Sequence, residues 1–181
     1  TYIVNEYGVP QVVFVNKDVQ NTTDGATDIK NLFNPSEFTN HSGGAYGGDT
    51  MWDVIGRKYG VQDHRHYRDA ANPKLAKGLR GQGVEATVLT KAQMDNARSE
   101  VEKLLGKKYP DTLEGNLQVR NYYQVSNADA VYAVATLTDN KKGVTGGTNT
   151  AVQLGIKLNK PVYVWDVTTE QWYKYDGKQF N

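Results

Sequence analysis

Residues 42–50 read Ser-Gly-Gly-Ala-Tyr-Gly-Gly-Asp-Thr, and from Gly43 to Thr50 they almost spell a phosphate-binding loop, G-x-x-x-x-G-K-[ST]. Asp49 stands where that loop carries its lysine. A glycine turn running into a helix presents backbone N–H groups and the positive end of the helix dipole, which suit an anion. Glycine lets a phosphate approach because no Cβ holds it away. In a nucleotide hydrolase the lysine bridges the outer phosphates. A carboxylate there repels them, by about 4 kcal/mol at about 4 Å in a partly exposed site, and a Walker-type ATPase is rejected on that ground. A carboxylate beside such a turn can instead accept hydrogen bonds from ribose hydroxyls. The plainer alternative is that Asp49 caps its own helix and the glycines only make a tight turn.

A second glycine turn, Thr145-Gly-Gly-Thr-Asn-Thr150, opens another candidate helix with Val152, Ile156 and Leu158 on one side. His64 and His66 fall on one face of a strand, a spacing that permits a metal; no third ligand is evident nearby in the sequence, and none is expected to bind. Arg65 and Arg68 meet phosphates or solvent. Trp165, Trp172, Tyr173 and Tyr175 either stack on a purine or pack a terminal hairpin. Ser42 precedes the first turn without the order of a Ser-His-Asp hydrolase or a nucleophile elbow, so it is assigned to a phosphate or a helix cap.

The elements that must position these groups follow from periodicity. Val12–Val15 reads as a short strand, and 16–40 as mostly loop, ending in a brief strand from Phe38 to His41. Met51, Trp52, Val54, Ile55 and Tyr59 recur at helical spacing, with Gly60 as terminator. Gln62–Arg68 alternates like a strand, Asn72–Gly83 is a loop, and Val84–Leu89 is a strand. Thr90 and Gln93 form a capping box ahead of the stripe Met94, Ala97, Val101, Leu104, Leu105, which stops at Gly106. Leu113–Val125 reads as one helix. Ala128–Ala135 is an apolar run typical of a parallel strand buried on both faces. Pro161–Trp165 is the next strand, and Gln171–Phe180 a hairpin turning at Asp176-Gly177. Strands alternating with helices imply an α/β fold with a mostly parallel, Rossmann-like open sheet covered on both faces. Ligands of such sheets bind at the carboxyl ends of strands, beside helix N-termini. One domain is expected over 1–181, with an irregular part at 1–37 and the hairpin at 167–181.

A net charge of +1 without a like-charge run argues against a nucleic-acid face. The chain has no cysteine, which removes disulfides and thiolate chemistry and fits a reducing cytosol. No 18-residue apolar stretch is present, so no membrane span is expected, and the opening residues lack the pattern of a secretory signal.

The run VRNYYQVSNADAVYAVATL, followed by TGGTNTAVQLGIKLNKPVYVWD, resembles the LOG/SLOG group of Rossmann-like proteins. That group contains cytokinin-activating phosphoribohydrolases, molybdenum-cofactor carriers and nucleotide-sensing SLOG domains of bacterial defence. Its pattern is Arg-Lys on a helix, an apolar strand, then P-G-G-x-G-T-x-x-E. Arg120, Gly146, Gly147 and Thr150 match it. Asn121 stands for Lys, Thr145 for Pro, Asn149 for Gly and Gln153 for Glu. The first turn is also similar to the group's S-G-G-A-x-G-A-D, and the resemblance spans roughly Phe38 to Asp166.

In the group's hydrolases the Arg and Glu cleave an N-glycosidic bond. Gln153 has no charge to stabilise an oxocarbenium ion and cannot act as a base, a loss worth about 10²–10⁴-fold. The resemblance therefore implies non-catalytic binding of a phosphorylated, ribose-containing molecule (a nucleotide, ADP-ribose derivative or cyclic nucleotide signal), by a sensor or a sequestering sponge against bacterial defence signalling. The alternative is an N-glycosidase or phosphoribohydrolase using Asp49 or Asp129. The implied ligand set is Ser42, Gly43, Gly44, Ala45, Gly48 and Asp49, then Arg120 and Asn121, then Gly146, Gly147, Thr148, Asn149, Thr150 and Gln153. His66, Arg68 and Trp165 are further contacts. No cofactor is implied. A homodimer in the bacterial cytoplasm, or in the host cytoplasm for a phage-encoded member, is implied by analogy with the group.

Overall fold

The computed structural model describes residues 2–4, 10–12, 34–80 and 84–181, with only the backbone at 2–4, 10–12, 78 and 80. The chain divides into two compact units, Thr1–Asn34 and Pro35–Asn181. In the first, β1 (Tyr2–Val4) and β2 (Pro10–Val12) pair antiparallel. The strand expected at Val12–Val15 lies, apart from Val12, outside the described residues, as does the loop expected at 16–33.

The second unit is α/β. A 3₁₀ turn (Pro35–Glu37) leads into β3 (Thr39–Ser42), then α1 (Gly48–Lys58) and β4 (Asp63–Asp69). A short helix, α2 (Lys77–Arg80), lies inside the stretch expected to be loop. β5 (Ala86–Leu89) completes a fully parallel sheet in the order β3-β4-β5.

Helix α3 (Lys91–Leu105) begins at Thr90, whose side chain accepts from Gln93 N while Gln93 answers to Thr90 N, the expected capping box. It ends at Gly106, in the left-handed conformation at φ 64° that glycine adopts without strain. Its stripe Met94, Ala97 and Val101 is buried, and each fully buried Val or Met side chain stabilises by about 1.5–3 kcal/mol.

The single helix expected over Leu113–Val125 is two: α4 (Leu113–Val119), capped by Thr112, and α5 (Asn121–Ser126). Arg120 is their joint, where its side chain is drawn inward to backbone carbonyls. β6 (Val131–Ala135), α6 (Thr148–Lys157), β7 (Val162–Asp166) and β8 (Gln171–Lys174) follow. β6 and β7 are parallel, and β8 returns antiparallel on β7. A further bridge, Tyr175 to Phe180, closes the turn at Asp176-Gly177.

One expectation needs correction, and one helix that formed as expected turns an unforeseen side inward. β6 is buried on one face only: Val131 and Ala133 point inward, while Tyr132 and Val134 are each 45% exposed. Alanine and valine fill both faces of the run, so composition alone mimics two-sided burial. Helix α1 leaves Met51, Trp52, Val54 and Ile55 exposed, with Tyr59 exposed just past its end, and buries Asp53 completely. The reason lies in β4, whose histidines take that carboxylate. The core joins both sheets: Tyr67 and Leu89 from the first, Val131, Ala133, Val162 and Val164 from the second, with the α3 stripe, Val119, Val125, Val152 and Phe180.

Candidate functional site

β3 ends at Ser42, and the chain turns through Gly43 and Gly44, all three buried, before α1 begins at Gly48. The turn is held from inside. Arg120 Nη1 donates to Gly43 O at 2.6 Å and to Tyr67 O at 3.0 Å, and its Nε to Leu117 O at 3.4 Å. Arg68 Nη1 donates to the same Gly43 O at 3.4 Å, with its Nε on Asn72 O. Asp49 Oδ2 accepts from Ala45 N at 3.0 Å, so the carboxylate braces its own turn. A Cβ at Gly43 would sit 2.6 Å from Arg120 Nη2 and 3.0 Å from Asp49 Oδ2, which leaves this position to glycine.

Two guanidinium groups, 6% and 8% exposed, thus converge beside one carboxylate. Burial, and then the neighbouring Arg68 charge, pull Arg120 down to about 10, with Asp49 giving partial relief. Burial likewise lowers Arg68, against the pull of Asp49 and Asp69. A shift of this sign reports a buried cation short of negative charge. The adjoining N-terminus of α1 has no side-chain cap, so its first N–H groups are not taken by a capping side chain.

The second turn is built differently. Thr145, Gly146, Gly147 and Thr148 are exposed, and α6 also starts without a side-chain cap. Thr150 Oγ1 donates to Gln118 Oε1 at 2.6 Å. Asn149 Oδ1 accepts from Val144 N, and Gln153 Nε2 donates to Lys142 O at 2.9 Å, tying α6 to the excursion before it. A cleft of about 520 Å³ opens here between Gly146, Gly147, Asn149, Thr150 and Gln153 on one side and Lys107, Tyr109, Glu114 and Gln118 on the other. None of its lining residues belongs to the first turn. The turns meet through one segment of chain instead, since Gln118 touches the second and Arg120 the first.

Among the remaining sequence candidates, Asn121 begins α5 and is half-buried, and Gly48 is exposed at the start of α1. Trp165 lies edge-on to Trp172 at 5.7 Å and is not among the residues lining the cleft. His66 is fully buried and sits between Ser42 and Asp53: Ser42 Oγ is 2.5 Å from its Nδ1 and Asp53 Oδ2 is 2.6 Å from its Nε2. The row has the residue types of a hydrolase triad, but Ser42 is only 3% exposed and no substrate reaches it.

Sequence reasoning did not find Asp53. Burial pushes its carboxyl up, while hydrogen bonds from Arg57 and His66 pull it down further, and the net position is below the ordinary carboxylate value. The signal was a lone acid between Trp52 and Val54 in an apolar helix face. Compared with protein-family models, with curated proteins and with solved structures, the chain matches none of them.

Proposed function

We propose that this protein binds, without turning it over, a phosphorylated ribose-containing small molecule, as a sensor or a sequestering sponge for a nucleotide signal. The observation that carries the reading is the pair Arg68 and Arg120, both buried, both on Gly43 O, with Asp49 as the neighbouring carboxylate. A phosphate at the first turn would supply the missing negative charge and meet the uncapped first N–H groups of α1. The cleft at the second turn, at about 520 Å³, falls in the range of small-ligand sites, about 300–1,000 Å³.

A Rossmann-like sheet and kinship with the LOG/SLOG group belong to this reading and rest on the sequence pattern. Binding is preferred over hydrolysis because Gln153 carries no charge and its amide already serves Lys142 O. Isothermal calorimetry with AMP, NAD, ADP-ribose and cyclic dinucleotides tests the proposal. Micromolar or tighter binding of one of them, with no free base seen by chromatography, is the expected result. Silence across the whole panel would remove the binding reading, and released base that disappears in Asp49→Asn would replace it with the glycosidase.

A further inference from the structure

Three polar side chains, one of them the His66 expected to touch the nucleotide, meet in a buried place away from the cleft. His64 and His66 are two apart on β4 and point the same way, with ring centroids 6.4 Å apart. Asp53 reaches them from α1. Its Oδ2 lies 3.3 Å from His64 Nδ1 and 2.6 Å from His66 Nε2, and one donor atom from each of the three residues falls within 4.8 Å of the others. All three side chains are fully buried. The approach of α1 depends on Gly56, where a Cβ would stand 2.9 Å from His64 Cε1.

What each ring does with its other nitrogen is the informative part. His64 Nε2 lies 3.0 Å from Val61 O, an acceptor only, so that nitrogen carries the hydrogen and Nδ1 keeps its lone pair. Without an ion His66 Nε2 donates to Asp53 Oδ2; the other tautomer, with Nδ1 donating to Ser42 Oγ, turns the Nε2 lone pair to the centre. Metal-binding histidines are held in this manner, by donation of the second N–H to an oxygen. The carboxylate is held likewise: Arg57 Nε donates to Asp53 Oδ1 at 2.6 Å, and the Arg57 contact to Oδ2 is longer, at 3.3 Å. Asn40 lies on the same side, its amide 3.2 Å from His64 Nδ1. Turned over, that amide offers a carbonyl oxygen to the same centre.

We propose that His64, His66 and Asp53 form a buried binding site for one divalent transition-metal ion of the zinc class, which fastens helix α1 to strand β4. Two imidazoles and a carboxylate are the donor set of that class; the chain has no thiol, and no further carboxylate joins the group among the described residues, which disfavours copper(I) and calcium. A tetrahedral ion about 2.0–2.1 Å from each ligand spaces the ligand atoms about 3.3 Å apart. The 3.3 Å contact already fits, and the 2.6 Å contact opens by about 0.7 Å as the ion replaces its hydrogen bond. The charge of Arg57, whose side chain is 38% exposed, is softened by solvent. The ion holds structure and has no path to substrate, in keeping with complete burial of its ligands.

The test uses the whole chain stripped with a chelator and confirmed folded by circular dichroism. Zn²⁺ titrated by calorimetry is expected to bind with a stoichiometry of about one and micromolar or tighter affinity, and to raise Tm by about 5 °C or more. Co²⁺ is expected to give weak visible bands without thiolate charge transfer. Asp53→Asn and His64→Gln should each weaken binding about 100-fold, and His41→Gln should leave it unchanged. Should the site variants unfold, X-ray absorption of the Zn²⁺-loaded wild type decides, through the number of imidazoles in its first shell. Folded wild type that takes up no stoichiometric Zn²⁺ and shows no Tm shift overturns the proposal. So does binding that survives in a folded His64→Gln, or a metal without two imidazoles.

Discussion

At the first glycine turn Ser42, Gly43 and Gly44 are buried, and two arginines hold one carbonyl from within. At the second, Thr145 to Thr148 stand in solvent beside an open cleft. The two turns read alike as strings of glycine, yet one is wired into the core and the other hangs from its rim. A short glycine pattern encodes a backbone path; whether that path is buried depends on what distant elements send to it. Arg120, 77 residues after Gly43, decides the first case. The two turns should therefore differ sharply when each is perturbed.

The largest effect is expected at Arg120. Arg120→Ala strips a charged donor from Gly43 O and Tyr67 O, two buried acceptors. Gly43 O keeps only the longer bond from Arg68, and a hydrogen bond from a charged donor is worth about 1.5–3 kcal/mol, so urea unfolding should show a loss of about 3 kcal/mol together with loss of nucleotide binding. The matching change at the second turn, Gln118→Ala, breaks a half-buried neutral bond and should cost about 1 kcal/mol. Equal costs would erase the distinction.

Next come the glycines themselves. Gly44 has φ 62°, and a Cβ there would stand 2.4 Å from Leu75 Cδ2 and 3.1 Å from His66 Cβ. Gly44→Ala should lose about 2–3 kcal/mol through strain and overpacking. Gly146 has φ 77° with open space around it, and Gly146→Ala should lose about 1 kcal/mol by thermal unfolding.

A capped helix supplies a reference for both turns. Thr90→Ala removes half of a capping box and should cost about 1 kcal/mol while nucleotide titrations stay unchanged. Altered binding in that variant would mean that the start of α3, and not only Leu105 at its far end, is coupled to the cleft.

The smallest effect is a pH dependence. His41, whose Nδ1 lies 3.0 Å from Tyr67 Oη, is lowered below 6.5 by burial and then by Arg65. The unfolded chain then binds a proton that the folded chain resists, so stability is full above about 6.5 and declines as pH falls through that value. Tm measured between pH 7.5 and 5 should drop, and His41→Gln should flatten part of the slope.

Local signals in the sequence were legible where neighbours along the chain do the work. The α/β alternation, the Thr90–Gln93 box and the stop at Gly106 all rest on contacts within four residues. The break at Arg120 was not legible, because its cause is a set of carbonyls on β4 and the first turn. The exposed face of β6 was missed because Ala, Val and Tyr pack equally well against a helix or stand half in solvent. Asp53 was missed because an apolar stripe draws the eye to the wrong side of α1. A pair of histidines two strands' length of chain away redefines which side faces in. For the candidate site, the sequence marked both turns and Arg120. It did not show that Arg68 would share Gly43 O, or that Gln118 would stand between the turns.

All three tryptophans belong to one chain of ring contacts: Trp52 meets Tyr132 at 6.3 Å, Tyr132 meets Trp172 at 6.3 Å, and Trp172 meets Trp165 at 5.7 Å. Intrinsic emission is thus a single-address probe. Excited selectively at tryptophan, it reports how α1 sits against β6 and leaves events around α3 to the tyrosines there, so an unfolding trace followed by tryptophan fluorescence needs a second, far-ultraviolet channel before its midpoint is taken for the molecule's own.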